Sequence, residues 1–127
     1  MKLSNLRPYA LSALRLVAGF LFLQHGLQKL FGMLGGSAQP VGSLMFFAGV
    51  IEGLGGLLIM LGLFTRPVAF IASGQMAAAY FMSHAPQGFW PILNRGELAA
   101  LYCFVFLYLA IAGPGPLSLD KLLRRKT

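Results

Sequence analysis

Four apolar segments, separated by short loops rich in glycine and proline, constrain the fold of this chain more than any other feature. They cover residues 9–31, 42–63, 68–82 and 96–112. The first two are long enough to cross a bilayer as helices, since a span needs about 20 apolar residues. The other two are shorter, and we expect them to cross with little tilt. Because lipid offers no partner to free backbone groups, the sequence predicts an all-α fold, a four-helix transmembrane bundle in a single domain, residues 1–127.

The composition excludes several classes of protein. Hydrophobic residues make up 57% of the chain and charged residues 10%, which is typical of membrane proteins. The net charge of +7 does not indicate nucleic-acid binding, because the cations form no continuous basic face. A single cysteine, Cys103, allows neither an internal disulfide nor a Cys-x-x-Cys redox motif. Any redox chemistry therefore requires a bound cofactor or a partner protein.

The first apolar segment could be mistaken for a signal peptide, since Lys2 and Arg7 precede it. Its length of about 23 residues exceeds that of a typical signal-peptide core. It also contains polar residues such as Gln24, which a cleaved leader does not need. We expect this segment to be retained as the first span.

The distribution of Lys and Arg predicts the orientation in the membrane. Two cations, Lys29 and Arg95, lie at one end of the predicted bundle. The other end carries Lys2, Arg7, Arg66, Lys121, Arg124, Arg125 and Lys126. Because cationic loops stay in the cytoplasm, we expect a multi-pass protein of the bacterial plasma (inner) membrane with both termini cytoplasmic. The basic tail at residues 121–126 is expected to contact anionic lipids.

Glu52 lies midway along an otherwise uncharged run, residues 41–63. An acid at membrane depth is rare, and it marks a functional site or the partner of a buried cation. Helical spacing places Glu52 on a stripe of small residues that faces the bundle interior. Two interpretations stay open. In the first, Glu52 is a catalytic residue that handles protons for a bound ligand. In the second, it only forms an ion pair with Lys29, Arg15 or Arg95.

The remaining polar residues of the spans converge on the same end of the predicted bundle. Helical phase and depth predict an outward-facing pocket floored by Glu52. The candidate ligand-binding residues are His25, Gln28, Lys29, Gln75, Asn94, Arg95 and Glu97. Arg15 lies alone in the opposite half and is predicted to form a structural ion pair. No metal site is predicted, because no second His or carboxylate shares a helix face at ligand spacing. Haem ligation by His25 and His84 is disfavoured, because His84 adjoins Pro86 in a predicted loop.

Several stretches in order along the chain resemble one family of small four-helix membrane proteins. They are Arg15–Leu16, Gly19–Phe22 and His25–Gly32 in the first segment, Phe47–Gly56 and Gly62–Arg66 around the second, Asn94–Ala99 before the fourth, and Gly113–Gly115 and Ser118–Asp120 after it. Over nearly its whole length, the chain resembles the DoxX family through these stretches. The resemblance implies a redox-linked accessory subunit that binds a quinone or another small apolar ligand and works with a partner oxidoreductase. In this hypothesis Glu52 manages protons, His25 and Gln28 hold the ligand, and Arg95 and Glu97 shape the pocket mouth.

Two other functions stay open beside this one. In the first, the chain is a non-enzymatic scaffold that docks a partner oxidoreductase. In the second, it transports a small solute, and it would do so as a homo-oligomer because four spans are few for a transporter. The bilayer itself is the one partner that all three hypotheses share.

Overall fold

The computed structural model describes residues 2–123, and every regular element in this range is helical. After a short 3₁₀ turn, the helices are α1 (Arg7–Phe31), α2 (Leu44–Leu61), α3 (Thr65–Ala79), α4 (Pro91–Asn94), α5 (Glu97–Ala112) and α6 (Leu119–Leu122). A π-helical turn, Tyr80–His84, and a 3₁₀ turn, Ala85–Gln87, follow α3. The all-α prediction is confirmed, and the four long helices overlap the four apolar segments. Most of the predicted basic tail, residues 124–126, lies outside the described residues.

Two of these helices meet the length and hydropathy expected of a membrane span. They are α1 with its preceding turn, Leu3–Phe31, and α2, Leu44–Leu61. The apolar helix α5 has 16 residues and α3 has 15, so both are shorter, as the sequence predicts. The outer surface of the bundle is covered by large apolar side chains, among them Phe20, Phe70, Phe104 and Ile111. Exposed apolar area on this scale is typical of a surface that contacts lipid or a partner.

The four long helices form two pairs, α1 with α2 and α3 with α5, and the pairs meet mainly where α2 packs on α3. Phe22 of α1 also contacts α5, with its ring centroid 4.7 Å from that of Phe106 and 5.5 Å from that of Tyr102. We call the end of the bundle where α1 and α3 end and α2 and α5 begin the loop end. The opposite end, near both chain termini, is the terminal end.

Glycines bring the backbones of α1 and α2 into direct contact. A Cβ added at Gly26 would lie 2.1 Å from the Gly53 nitrogen, and one at Gly56 would lie 2.5 Å from the Leu23 nitrogen. A Cβ at Gly49 would meet the Cβ of Lys29 at 2.8 Å. Such close approach is the usual role of small residues between transmembrane helices. It places Lys29 directly over the α2 face that carries Glu52.

At the terminal end, the segment after α5 folds back across the bundle. Asp120 is fully buried, and its carboxylate accepts hydrogen bonds from the backbone N–H groups of Phe64 at 2.9 Å and Thr65 at 3.0 Å. These N–H groups begin α3 and have no intrahelical acceptor, so Asp120 acts as an N-cap supplied from a distant part of the chain. This cap explains why α3 begins at Thr65, three residues before the predicted segment.

Arg15 serves the same fold-back rather than an ion pair. Its guanidinium is buried and donates to the backbone carbonyls of Pro114, Leu117 and Met60. Within the described range, no carboxylate lies within ion-pair distance of it. The predicted ion pair of Arg15 is therefore wrong. The planar guanidinium presents several donors at once. It therefore satisfies carbonyl oxygens of the irregular segment after α5, which has no helical N–H groups to donate to them.

Candidate ligand-binding site

An open cavity of about 400 Å³ lies at the loop end, between the four long helices. Most of its wall is apolar, with side chains such as Leu44, Met45, Met76, Met82 and Leu98. Among the predicted site residues, the cavity brings together His25, Lys29, Glu52, Gln75 and Arg95. Volume and lining both match the usual small-molecule site, an apolar cleft with few polar groups.

Glu52 is the most buried polar group of this cavity, with 2% of its surface exposed. Its Oε1 accepts from Lys29 Nζ at 2.5 Å, and its Oε2 accepts from Gln75 Nε2 at 2.6 Å. One carboxylate on α2 thus joins α1 and α3. The structure brings Lys29, Glu52 and Gln75 together, as the sequence predicts.

The Lys29–Glu52 contact is the one ion pair between described side chains. The Lys29 side chain remains 21% exposed, against 3% for Glu52, so the ammonium group lies between the buried carboxylate and the open cavity. A buried charge is tolerated where a partner and hydrogen bonds compensate it, and Lys29 and Gln75 supply both. Of the three cations considered as partners for Glu52, the structure selects Lys29. A proton-handling role for Glu52 stays a prediction.

Two polar atoms of cavity-lining residues lack hydrogen-bond partners within the described part of the chain. Gln75 Oε1 and the Tyr102 hydroxyl are buried and unpartnered. The His25 ring lies edge-on to the Tyr102 ring at 6.2 Å between centroids. Buried polar groups are almost always satisfied by protein or water. Gln75 and Tyr102 both line the cavity, but these two atoms lie buried within its wall and do not face its open space.

His84 and Asn94 form the rim of the cavity and its support. The His84 ring lines the cavity, and its Nδ1 lies 3.0 Å from the Asn94 carbonyl oxygen. The Asn94 side chain is fully buried; its Nδ2 donates to the Gly88 carbonyl at 2.9 Å, and its Oδ1 accepts from the Gly96 N–H at 2.8 Å. Asn94 therefore holds the connection between α3 and α5 and does not line the cavity.

Two further predicted ligand-binding residues lie away from the cavity. Gln28 donates to the Leu34 carbonyl at 3.0 Å and borders a separate groove on the outer side of α1. Glu97 is exposed in the first turn of α5, where an acidic side chain interacts favourably with the helix dipole. Arg95, in a left-handed conformation with φ of 61°, is exposed at the cavity mouth.

The face of α5 that meets the cavity differs from the expected one. Glu97 and the residues at its helical spacing, Leu101, Phe104 and Tyr108, are all exposed. The buried face carries Ala99, Tyr102, Phe106 and Leu109 instead. Because α5 is apolar all round, its sequence has no polar side to mark the outer face. Tyr102 and Tyr108 carry the two hydroxyl groups of this helix, and the structure buries only Tyr102.

Comparisons with known proteins give the chain its family. The sequence model of the DoxX family matches residues 10–85, which contain Lys29, Glu52 and Gln75. A Haemophilus influenzae protein named "Uncharacterized protein" is 46% identical over 93% of both chains. The Mycobacterium tuberculosis "Uncharacterized membrane protein Rv3486" is 32% identical over 94% of this chain and 84% of its own. The Bacillus subtilis "Putative oxidoreductase CatD" is 30% identical over 84% of this chain and 81% of its own.

No solved structure matches the chain. The family match covers more than half of the sequence and agrees with the resemblance carried by its first two apolar segments. This protein therefore belongs to the DoxX family of membrane proteins.

Proposed function

We propose that this protein binds a quinone, or another small apolar molecule with ring oxygens, in the loop-end cavity, as a redox-linked accessory subunit. The observation that carries the proposal is the partly exposed Lys29 side chain, which the buried Glu52 holds in the wall of the apolar cavity. The cavity volume of about 400 Å³ lies within the range of small-molecule sites. The name of the Bacillus subtilis relative, which describes an oxidoreductase, supports the redox link.

The residues present fit a quinone ring. Phe22 and Met76 supply apolar contact, while the ammonium group of Lys29 supplies donors to a ring oxygen. A bound quinone supplies a two-electron couple that takes up two protons. The ammonium of Lys29 donates one N–H to Glu52 and has others left to donate to a ligand oxygen. Glu52 keeps this cation in place and stabilises its charge in an apolar setting.

We further propose that the protein lies in the inner membrane with both termini cytoplasmic and the cavity opening on the opposite side. The cations at the terminal end, such as Arg7 and Arg66, support this orientation. An oxidoreductase that delivers or removes electrons would then dock at the loop end, where Phe89 and Trp90 are exposed.

The test is an isothermal titration calorimetry experiment, in which duroquinone, an apolar tetramethyl quinone, is titrated into the purified protein in detergent. We expect saturable one-site binding that Ala79→Phe weakens at least ~10-fold, because Ala79 lines the cavity and a phenyl group would occupy its volume. The matched control is Ala13→Phe, on the exposed face of α1, which should bind like the wild type. Absence of saturable binding, or equal binding by Ala79→Phe, would contradict the proposal.

A further inference from the structure

We infer that the cavity prefers a ligand that carries a negative charge, namely an acidic quinone whose ring hydroxyl is ionised at neutral pH. The inference rests on the proposed function, because it concerns the same cavity and narrows its ligand class. It comes from the charged residues that line the cavity, Lys29, Glu52 and Arg95. With the histidines neutral, these two cations and one anion sum to a net charge of +1.

The charge of Lys29 is already compensated within the cavity wall. Its Nζ lies 2.5 Å from Oε1 of the buried Glu52, so the two opposite charges largely cancel at the cavity mouth. The ammonium group has further N–H donors beyond the one that Glu52 accepts. The pair therefore offers a ligand hydrogen bonds but no net charge, and the positive charge of the cavity comes from Arg95.

Arg95 is the cation at the cavity mouth. It follows α4 as its C-cap residue, is exposed to solvent and lines the cavity. Among the described residues, no carboxylate lies within ion-pair distance of its guanidinium. The planar guanidinium presents a fork of donors that matches the oxygens of an anion. A cation at the mouth of an apolar cleft also raises the local concentration of anionic ligands.

Each acidic residue of the chain is placed where it does not neutralise Arg95. The three acids are Glu52, Glu97 and Asp120. Glu52 is paired with Lys29, and Asp120 caps α3 at the terminal end. Glu97 is exposed, lies outside the cavity lining and is beyond ion-pair distance of Arg95. The anion that pairs with Arg95 therefore comes from outside the chain.

An acidic quinone matches both parts of the cavity. Its rings contact the apolar wall, where Met45, Met76 and Leu98 lie. Its negative charge is shared between the ionised hydroxyl oxygen and a ring carbonyl oxygen, and both oxygens only accept hydrogen bonds. Arg95 and Lys29 each supply donors to such oxygens. Because Arg95 is exposed, we expect its charge to increase affinity for the anion by about fivefold, the upper end for a surface ion pair.

Two ligands that share one ring system and differ in charge test the preference. They are lawsone, a hydroxynaphthoquinone that is an anion at neutral pH, and its methyl ether, which is neutral. Calorimetric titration of the full chain in a non-ionic detergent at low salt should give a dissociation constant about fivefold lower for lawsone. High salt should reduce the difference to about twofold or less, because it screens exposed charges.

Two variants that remove the same charge show whether Arg95 is responsible. Arg95→Asn should bind lawsone and its methyl ether about equally. Asparagine suits this position because it adopts the left-handed conformation found there, with φ of 61°. The matched control is Lys121→Asn, at an exposed residue of the terminal end, which should keep the fivefold preference.

The outcomes separate the charge preference from the proposed function. Equal or tighter binding of the methyl ether by the wild type, or an unchanged preference in Arg95→Asn, would overturn the charge preference and leave the proposed function intact. Binding of duroquinone without binding of lawsone would have the same meaning. Binding of none of the three quinones would refute the proposed function itself. Should Arg95→Asn fail to fold, the wild-type comparison at low and high salt still decides the question.

Discussion

Replacing Gly26 by alanine should separate α1 from α2 and disturb the site built on their contact. The new Cβ would lie 2.1 Å from the Gly53 nitrogen and 2.3 Å from its Cα, whereas ordinary contact begins at 3.4 Å. Both atoms belong to backbone, so no side chain can rotate away, and the helices must move apart by roughly 1 Å. Overpacking of this kind costs about 1–3 kcal/mol. Because the overlap is with backbone, the upper end of this range applies, and alanine recovers up to about 1 kcal/mol of helix propensity. We therefore expect a net loss of about 2 kcal/mol.

Unfolding in detergent with increasing SDS, followed by circular dichroism, measures this loss. The control is Gly74→Ala, because a Cβ at Gly74 has no atom within 4 Å, and this variant should be neutral or slightly more stable. Gly26→Ala should also weaken duroquinone binding, since separation of α1 from α2 lengthens the Lys29–Glu52 bond. Equal stability of Gly26→Ala and Gly74→Ala would refute the close-packed α1–α2 interface.

Two more predictions concern buried charges. Glu52→Gln should destabilise the protein by about 2 kcal/mol, less than the 3–5 kcal/mol typical of a broken buried pair, because Lys29 is partly exposed. Lys29→Met combined with Glu52→Gln should restore most of the loss, and a double-mutant cycle in SDS that gives additive losses would count against the ion pair. Asp120→Ala should cost about 1–2 kcal/mol, because the first N–H groups of α3 lose their acceptor. Lys121→Ala, at an exposed neighbour, should be neutral in the same assay.

The sequence predicted the helices well because their signals are local. Apolar runs of helical length, interrupted by glycine and proline, mark where each helix begins and ends. The interior position of Glu52 was also predictable, because α2 carries a stripe of glycines on the same face. Lys29 was predicted as one of three possible ion-pair partners of Glu52, because helical spacing and depth placed it at the loop end.

The remaining features depend on rotation and on distant contacts. The rotation of α5 could not be predicted from its sequence, because Glu97 is the only charged residue on this otherwise apolar helix and it lies on the exposed side. Gln28 lies in the last turn of α1 and Asn94 ends the short helix α4, and each bonds to a carbonyl of a neighbouring loop. The cap from Asp120 to Thr65 joins residues 55 positions apart, and no local pattern indicates such a contact.

The central claim is that the cavity at the loop end is a ligand site organised by Lys29, Glu52 and Gln75. An experimental structure of the protein determined with duroquinone tests it most directly. We expect ligand density in the cavity, with a ring oxygen within hydrogen-bonding distance of Lys29 Nζ. Density for duroquinone only on the lipid-facing surface, with the cavity closed or filled by side chains, would contradict the claim.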